Sequence, residues 1–290
     1  DYGFHADPIL MSNLIPPDRS GSAKWQYWIA GIVPILCVTT LTIALPGLLI
    51  QPTVVADLGA MQEHKIQAQI RSISIKVLAR GMTIGSGVLL DRQDRVYTVI
   101  TNAHVIQSSA APFQIQTPDG QIYAVVLIAP PTGHNRDLSI LRFQSVDRNY
   151  NTAKLAADRP KIGDRVWSSG FPLADVASLP ENLLQNPDSE AATGLSIADG
   201  QVTHILPTAL TGGYNIGSDN AVKKGMSGGP LVDRQGNLVG INGVHADPLW
   251  EIAETLENGA TVGGELQEQI DNFSWAIPIE FVKEYVSSQN

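Results

Sequence analysis

Between Ile73 and Ile277 the chain is a succession of short apolar runs cut by turn residues, and no other feature limits its fold so strongly. The runs are Ile73–Leu78, Gly87–Leu90, Val96–Ile100, Gln114–Thr117, Ile122–Ile128 and Leu138–Phe143. After Gly163 they resume at Arg165–Ser168, Gly200–Leu206, Leu231–Val232, Leu238–Asn242 and Phe273–Ile277. Alternation, β-branching and close turns such as Asp91-Arg92-Gln93-Asp94 and Pro118-Asp119-Gly120 mark antiparallel strands. Helices do not alternate with these strands, so an α/β fold is excluded, and two small barrels or a pair of sandwiches remain. Ile279–Val286 has helical spacing and is expected to pack on the second strand-rich half. With 290 residues, 43% hydrophobic and 16% charged, the chain has the material for one large or two modest globular domains.

The N-terminal part obeys different rules. Residues 1–24 are polar and rich in turn formers, and they read as a disordered tail in which Met11 is a candidate natural start. From Trp25 to Ala56 there is no charged residue. Trp28–Ile50 supplies 23 mostly apolar residues, enough to cross a bilayer core of ~30 Å as a helix. Trp25, Tyr27 and Trp28 sit at one end as interfacial aromatics, beside Arg19 and Lys24, so the N-terminus is expected in the cytoplasm and the rest exported. Residues 25–50 therefore read as an uncleaved single-pass anchor. Val54-Val55-Ala56 offers the alternative, a signal peptide cleaved near Ala56. Residues 51–67 read as a linker, amphipathic from Asp57 to Ile70, and 68–290 as the folded domain, dividing at about 155/156.

The candidate chemistry centres on Lys224-Gly225-Met226-Ser227-Gly228-Gly229-Pro230-Leu231-Val232. Glycines let backbone N–H groups crowd toward one point, where two of them can stabilise a tetrahedral oxyanion. A serine in such a loop needs a base. His104 follows the strand Val96–Ile100, and Asp137 stands where the strand Leu138–Phe143 begins. The order His104–Asp137–Ser227, with spacings of 33 and 90 residues, puts all three at strand edges. Gly225–Gly229 also satisfies G-x-S-x-G, the elbow of α/β-hydrolases. That fold needs serine, acid, then histidine, and here only His245 follows Ser227, with Asp233 as the acid between them. The esterase reading fails on order and on strand pattern.

Gly85–Leu90, Thr101–Val105, Arg136–Leu141 and Gly225–Pro230 resemble the trypsin/chymotrypsin-fold serine proteases, most closely the bacterial HtrA/Deg branch. Gly170-Phe171-Pro172, Gly236–Asn242 and Trp275–Pro278 extend the likeness, which covers about residues 68–287. The resemblance implies an all-β, double six-stranded barrel, here preceded by the single N-terminal transmembrane helix read from the apolar run. It implies Ser227 as nucleophile, His104 as base, Asp137 as its orienting acid, and the N–H groups of Gly225 and Ser227 as the oxyanion hole. The strand Ser274-Trp275-Ala276 would pair with substrate backbone and line the specificity pocket. Ala221 stands six residues before the serine, where enzymes that cut after Lys or Arg carry an acid, so small or medium apolar residues are the expected target. Met226 replaces the acid that digestive relatives use in zymogen activation, and that switch is not expected here. HtrA proteins usually carry a C-terminal PDZ domain; 13 residues follow Ile277, so the sequence is expected to hold the protease domain without one. Substrates would be unfolded or envelope proteins, without metal or organic cofactor, with a homotrimer as the family's common assembly. The alternative is a catalytically silent peptide-binding or chaperone module of the same fold.

A net charge of −9 and scattered Lys and Arg residues exclude a nucleic-acid partner. Cys37 is the one cysteine, which excludes an intramolecular disulfide. Residues 245–271 carry seven acids and no Lys or Arg. They read as a solvated insertion, or else as a flank of the cleft that attracts basic substrates or a cation. His245-Ala246-Asp247 is too sparse for a metal site.

Overall fold

The computed structural model describes residues 52–128, 135–173, 194–244 and 255–288. The tail, Met11 and the anchor at 25–50 lie outside them, and among the described residues no helix is long and apolar enough to cross a membrane. The segment read as linker is helix α1 (Pro52–Ile73), which runs directly into the first sheet. That sheet contains β1 (Ser74–Ala79), β2 (Met82–Gln93), β3 (Val96–Thr101), β4 (Phe113–Gln116), β5 (Ile122–Ala124), β6 (Val126–Ile128) and β7 (Ser139–Gln144). The short helix α2 (Ala103–Gln107) follows β3. The second sheet contains β8 (Arg165–Gly170), β9 (Ser196–Leu210), β10 (Tyr214–Ser218), β11 (Pro230–Asp233), β12 (Leu238–Val244) and β13 (Ser274–Pro278). Helices α3 (Glu265–Asn272) and α4 (Ile279–Ser287) flank β13.

Strand order is β5-β4-β1-β2-β3-β7-β6 in the first sheet and a closed β10-β13-β12-β11-β8-β9 barrel in the second. Only Val125 separates β5 from β6, so the chain itself joins the two ends of the first sheet. The two halves are therefore barrel-like and not sandwiches. The seven strands of the first, against six expected, come from the one run Ile122–Ile128 dividing at Val125.

Side-chain alternation explains why several strands read as continuously apolar. In β2, Leu89 enters the first barrel's core with Val77, Tyr97 and Leu141. Its neighbours Val88 and Leu90 face the other way, into a larger cluster that spans both sheets. Ile66, Ile70 and Ile73 of α1 join that cluster at helical spacing. Burying each contributes about 1.5–3 kcal/mol. Gln69 Nε2 donates to the Gly236 carbonyl (2.8 Å) in the β11–β12 turn, so α1 ties the second barrel to the first strand of the other. The second barrel keeps its own small core of Val166, Val202, Ile216, Leu231 and Val239.

Candidate active site

His104 lies in the first turn of α2, just past the end of β3, and Asn102 caps that turn while its Nδ2 donates to the Asp137 carbonyl (2.8 Å). Asp137 sits just ahead of β7. Its own N–H donates to the Gly212 carbonyl of the second barrel (2.9 Å). The carboxylate then holds His104 twice: Oδ2 takes the imidazole Nδ1 at 2.6 Å and Oδ1 takes the His104 backbone N–H at 2.8 Å. The Tyr214 hydroxyl, from β10, also donates to Oδ2. Burial would push the Asp137 carboxyl up, but the bonds from His104 and Tyr214 outweigh it and hold it below the usual aspartate value. Burial, and then the Asp137 charge, push the Tyr214 hydroxyl well above its usual value, so it remains a donor.

Ser227 is buried in the loop before β11. The Lys224 carbonyl accepts the Leu173 N–H (2.9 Å) and the Met226 carbonyl accepts the Gly229 N–H (3.0 Å). In a trans peptide the N–H points opposite to the C=O, so these two bonds aim the N–H groups of Gly225 and Ser227 to the other side. Neither N–H has an acceptor among the described residues. Gly225 takes φ +96°, and a Cβ there would stand 2.5 Å from Leu173 N and 2.6 Å from Phe171 O, so glycine alone fits. Ser86, from β2, braces the loop: its Oγ donates to the Gly225 carbonyl (2.7 Å) and accepts the Phe171 N–H (2.8 Å). Its N–H donates to the Ser227 carbonyl (2.9 Å), and its carbonyl accepts Thr101 Oγ1 (2.6 Å).

The two halves meet at Gly243 in β12. Its carbonyl accepts the Ser227 hydroxyl (3.1 Å), while a Cβ on it would overlap the Tyr214 hydroxyl that reaches Asp137. Among the described residues no hydrogen bond joins Ser227 to His104. Met226 is buried, and its sulfur accepts the Lys223 N–H (3.3 Å).

One expected role is corrected. β13 lies between β10 and β12 in the closed barrel: Trp275 pairs with Gly217 and Val244, and Ala276 with Ile216 and Asn242, so neither has a free edge for substrate, while Ser274 pairs with Ser218 of β10. All three side chains are buried; Trp275 Nε1 donates to the Ile270 carbonyl (3.2 Å). Ser274 Oγ donates to the Asn220 carbonyl (2.9 Å), beside the exposed Ala221. Sequence reasoning missed Ser86, Tyr214 and Gly243; the run Thr211-Gly212-Gly213-Tyr214, which wraps Asp137, was the available signal.

The trypsin-like peptidase domain matches residues 85–241, just over half of the sequence, from the glycine run of β2 to Ile241 of β12. This chain belongs to the trypsin-like peptidase family. Among curated relatives of this peptidase, the periplasmic serine endoprotease DegP of Escherichia coli K12 is 28% identical over 165 residues, 56% of this chain and 30% of DegP. A probable DegP-like periplasmic serine endoprotease of Buchnera aphidicola is 28% identical over 160 residues, 55% of this chain and 29% of the relative. A protein named as a probable membrane transporter, MamO of Paramagnetospirillum magneticum, is 23% identical over 188 residues, 64% of this chain and 27% of its own. The peptidase thus spans less than a third of the length of these relatives.

Proposed function

We propose that this chain is a membrane-anchored serine endopeptidase that hydrolyses exported, unfolded or envelope proteins through an acyl-enzyme. One observation carries the reading: Gly243 takes the Ser227 hydroxyl on its carbonyl and leaves the room in which Tyr214 bonds Asp137 and so His104, while the N–H groups of Gly225 and Ser227 have no acceptor among the described residues. Ser227 Oγ turns from Gly243 to His104, gives its proton to Nε2 and attacks the scissile carbonyl carbon. The carbonyl oxygen becomes an oxyanion, held by the N–H groups of Gly225 and Ser227. His104 passes the proton to the leaving amine as the C–N bond breaks, leaving an ester on Ser227. Water then gives a proton to His104, attacks the ester and releases the acid, and the proton returns to Ser227. Asp137 keeps Nδ1–H pointed inward and stabilises the imidazolium throughout.

The run Trp28–Ile50 supports the anchor and the exported side, in keeping with relatives named as periplasmic. Exposed Ala221 supports a preference for apolar over basic side chains. A second reading, a silent peptide-binding module, draws on the Ser227–Gly243 bond, which leaves the nucleophile turned from its base.

A fluorophosphonate probe on the membrane-embedded full chain separates the two. The protease should be labelled at Ser227, and His104→Ala should abolish labelling; a wild-type chain that takes no label in any oligomeric or peptide-bound state is the binding module.

A further inference from the structure

We propose that Tyr214 is a positioning residue of this peptidase, whose hydroxyl sets the orientation of the Asp137 carboxylate against His104 from a space that Gly243 leaves open for it. The inference rests on the proposed serine mechanism.

Three donors converge on the Asp137 carboxylate: the His104 imidazole, the His104 backbone N–H and the Tyr214 hydroxyl. The first two come from one residue on one side, and they leave the carboxylate free to rock about the axis that joins it to His104. Tyr214 comes from the opposite barrel and removes that freedom. It is fully buried, and its hydroxyl has a single hydrogen-bond acceptor among the described residues, Asp137 Oδ2. The ring is held by the turn before it, where Gly212 (φ +89°) would put a Cβ 3.1 Å from both the Asp137 Cβ and the Tyr214 ring. On its other side stands Gly243, where any Cβ would overlap the hydroxyl and ring. A side chain at 243 and the tyrosine bond to Asp137 therefore exclude each other. Burial keeps the phenol protonated, so it gives the carboxylate a hydrogen bond and never competes with it as an anion.

The charged groups facing this pair among the described residues are His104 on α2, Arg136 beside Asp137, and Glu257, which pairs with Arg136. Arg136 is committed to Glu257 and to the Phe281 ring, so the tyrosine is the donor that answers the carboxylate from the second barrel. Without it, Asp137 keeps more of its charge for the imidazolium.

The test is Tyr214→Phe, which keeps the ring. Peptide cleavage should fall about 10- to 100-fold, mainly in kcat. The low-field proton resonance of the His104–Asp137 hydrogen bond should move, because one of the three donors on that carboxylate is gone. In an Asp137→Asn background the same substitution should cost less than about threefold, because Tyr214 acts through that carboxylate. Gly243→Ala, which drives the hydroxyl out from the other side, should reproduce the loss. Unchanged rate and an unchanged His104–Asp137 proton resonance in Tyr214→Phe, an equal loss with Asp137→Asn, or a fully active Gly243→Ala would each overturn the assignment. The proton resonance reads the positioning role without turnover. A wild-type chain that neither cleaves nor labels, yet shows the resonance shift in Tyr214→Phe, would sink the protease reading and leave the tyrosine's role standing.

Discussion

The two halves of the candidate site are built to opposite standards. Around His104 and Asp137 the bonds that fix the geometry are already made: three donors on the carboxylate, Asn102 Nδ2 on the Asp137 carbonyl, and the Asp137 N–H on Gly212. Around Ser227 the carbonyls are braced by Ser86, Leu173 and Gly229, but two N–H groups have no acceptor among the described residues and the hydroxyl rests on Gly243. An orienting acid and a base work by holding one geometry throughout, so their bonds are made in advance. Oxyanion donors contribute only when charge develops, and bonding them in the resting state would cancel the difference between ground and transition states. The open half is thus the part of the site most easily disabled without unfolding the protein.

Gly225→Ala tests that contrast with the largest effect. The new methyl would meet Leu173 and Phe171 at a φ that L-residues rarely adopt, so the 224–225 peptide must turn and withdraw its N–H. We expect kcat to fall about 10²- to 10³-fold. The low-field proton resonance of the His104–Asp137 bond should not change. Loss of that resonance as well would show that the two halves are not separable.

Ser86→Ala should have a smaller, mixed effect. It leaves the Gly225 carbonyl and the Phe171 N–H unpartnered in a buried setting. The expected destabilisation is about 2–4 kcal/mol in urea unfolding, with about a tenfold loss in kcat as the loop loosens. A stability change without a rate change would make Ser86 a staple between barrels with no influence on the oxyanion donors.

How far these features were legible depends on whether their signal is local. The strand rhythm and the glycine loop are local patterns, and the order His104–Asp137–Ser227 needed only adjacent strand ends. Helix α1 was read only as an amphipathic linker from Asp57 to Ile70, because its stripe of Ile66, Ile70 and Ile73 finds its partners only in the folded cluster that spans both sheets. Helix α3 was missed because Ile270 is its one buried residue. The role expected of Ser274-Trp275-Ala276 meets a different obstacle: a sequence identifies a strand but does not say whether its edges are free, and here β10 and β12 occupy both edges at Trp275 and Ala276. Ser86 and Tyr214 act through partners more than 70 residues away, a distance that no periodicity reports.

The smallest expected effect concerns the acidic segment, which the sequence presents as a solvated insertion. Its described part does not stand free. Thr255 accepts the Thr211 N–H (2.9 Å), Leu256 bridges to Leu210, and Glu257 pairs with Arg136, the residue before Asp137. The pair is largely shielded, with 19% and 29% of the two side chains exposed. Even so, Arg136 does not depend on Glu257 alone: its guanidinium lies 3.6 Å from the centre of the Phe281 ring, and its backbone bridges to Gly212. Glu257→Gln should therefore cost no more than about 1 kcal/mol, a difference that shrinks in high salt. Cleavage should change less than about twofold, because the Asp137 N–H keeps Gly212 and the carboxylate keeps its three donors. A larger loss, read as kcat across a salt series, would mean that the well-bonded half of the site borrows its rigidity from this acidic segment. The segment would then be the natural place from which to loosen it.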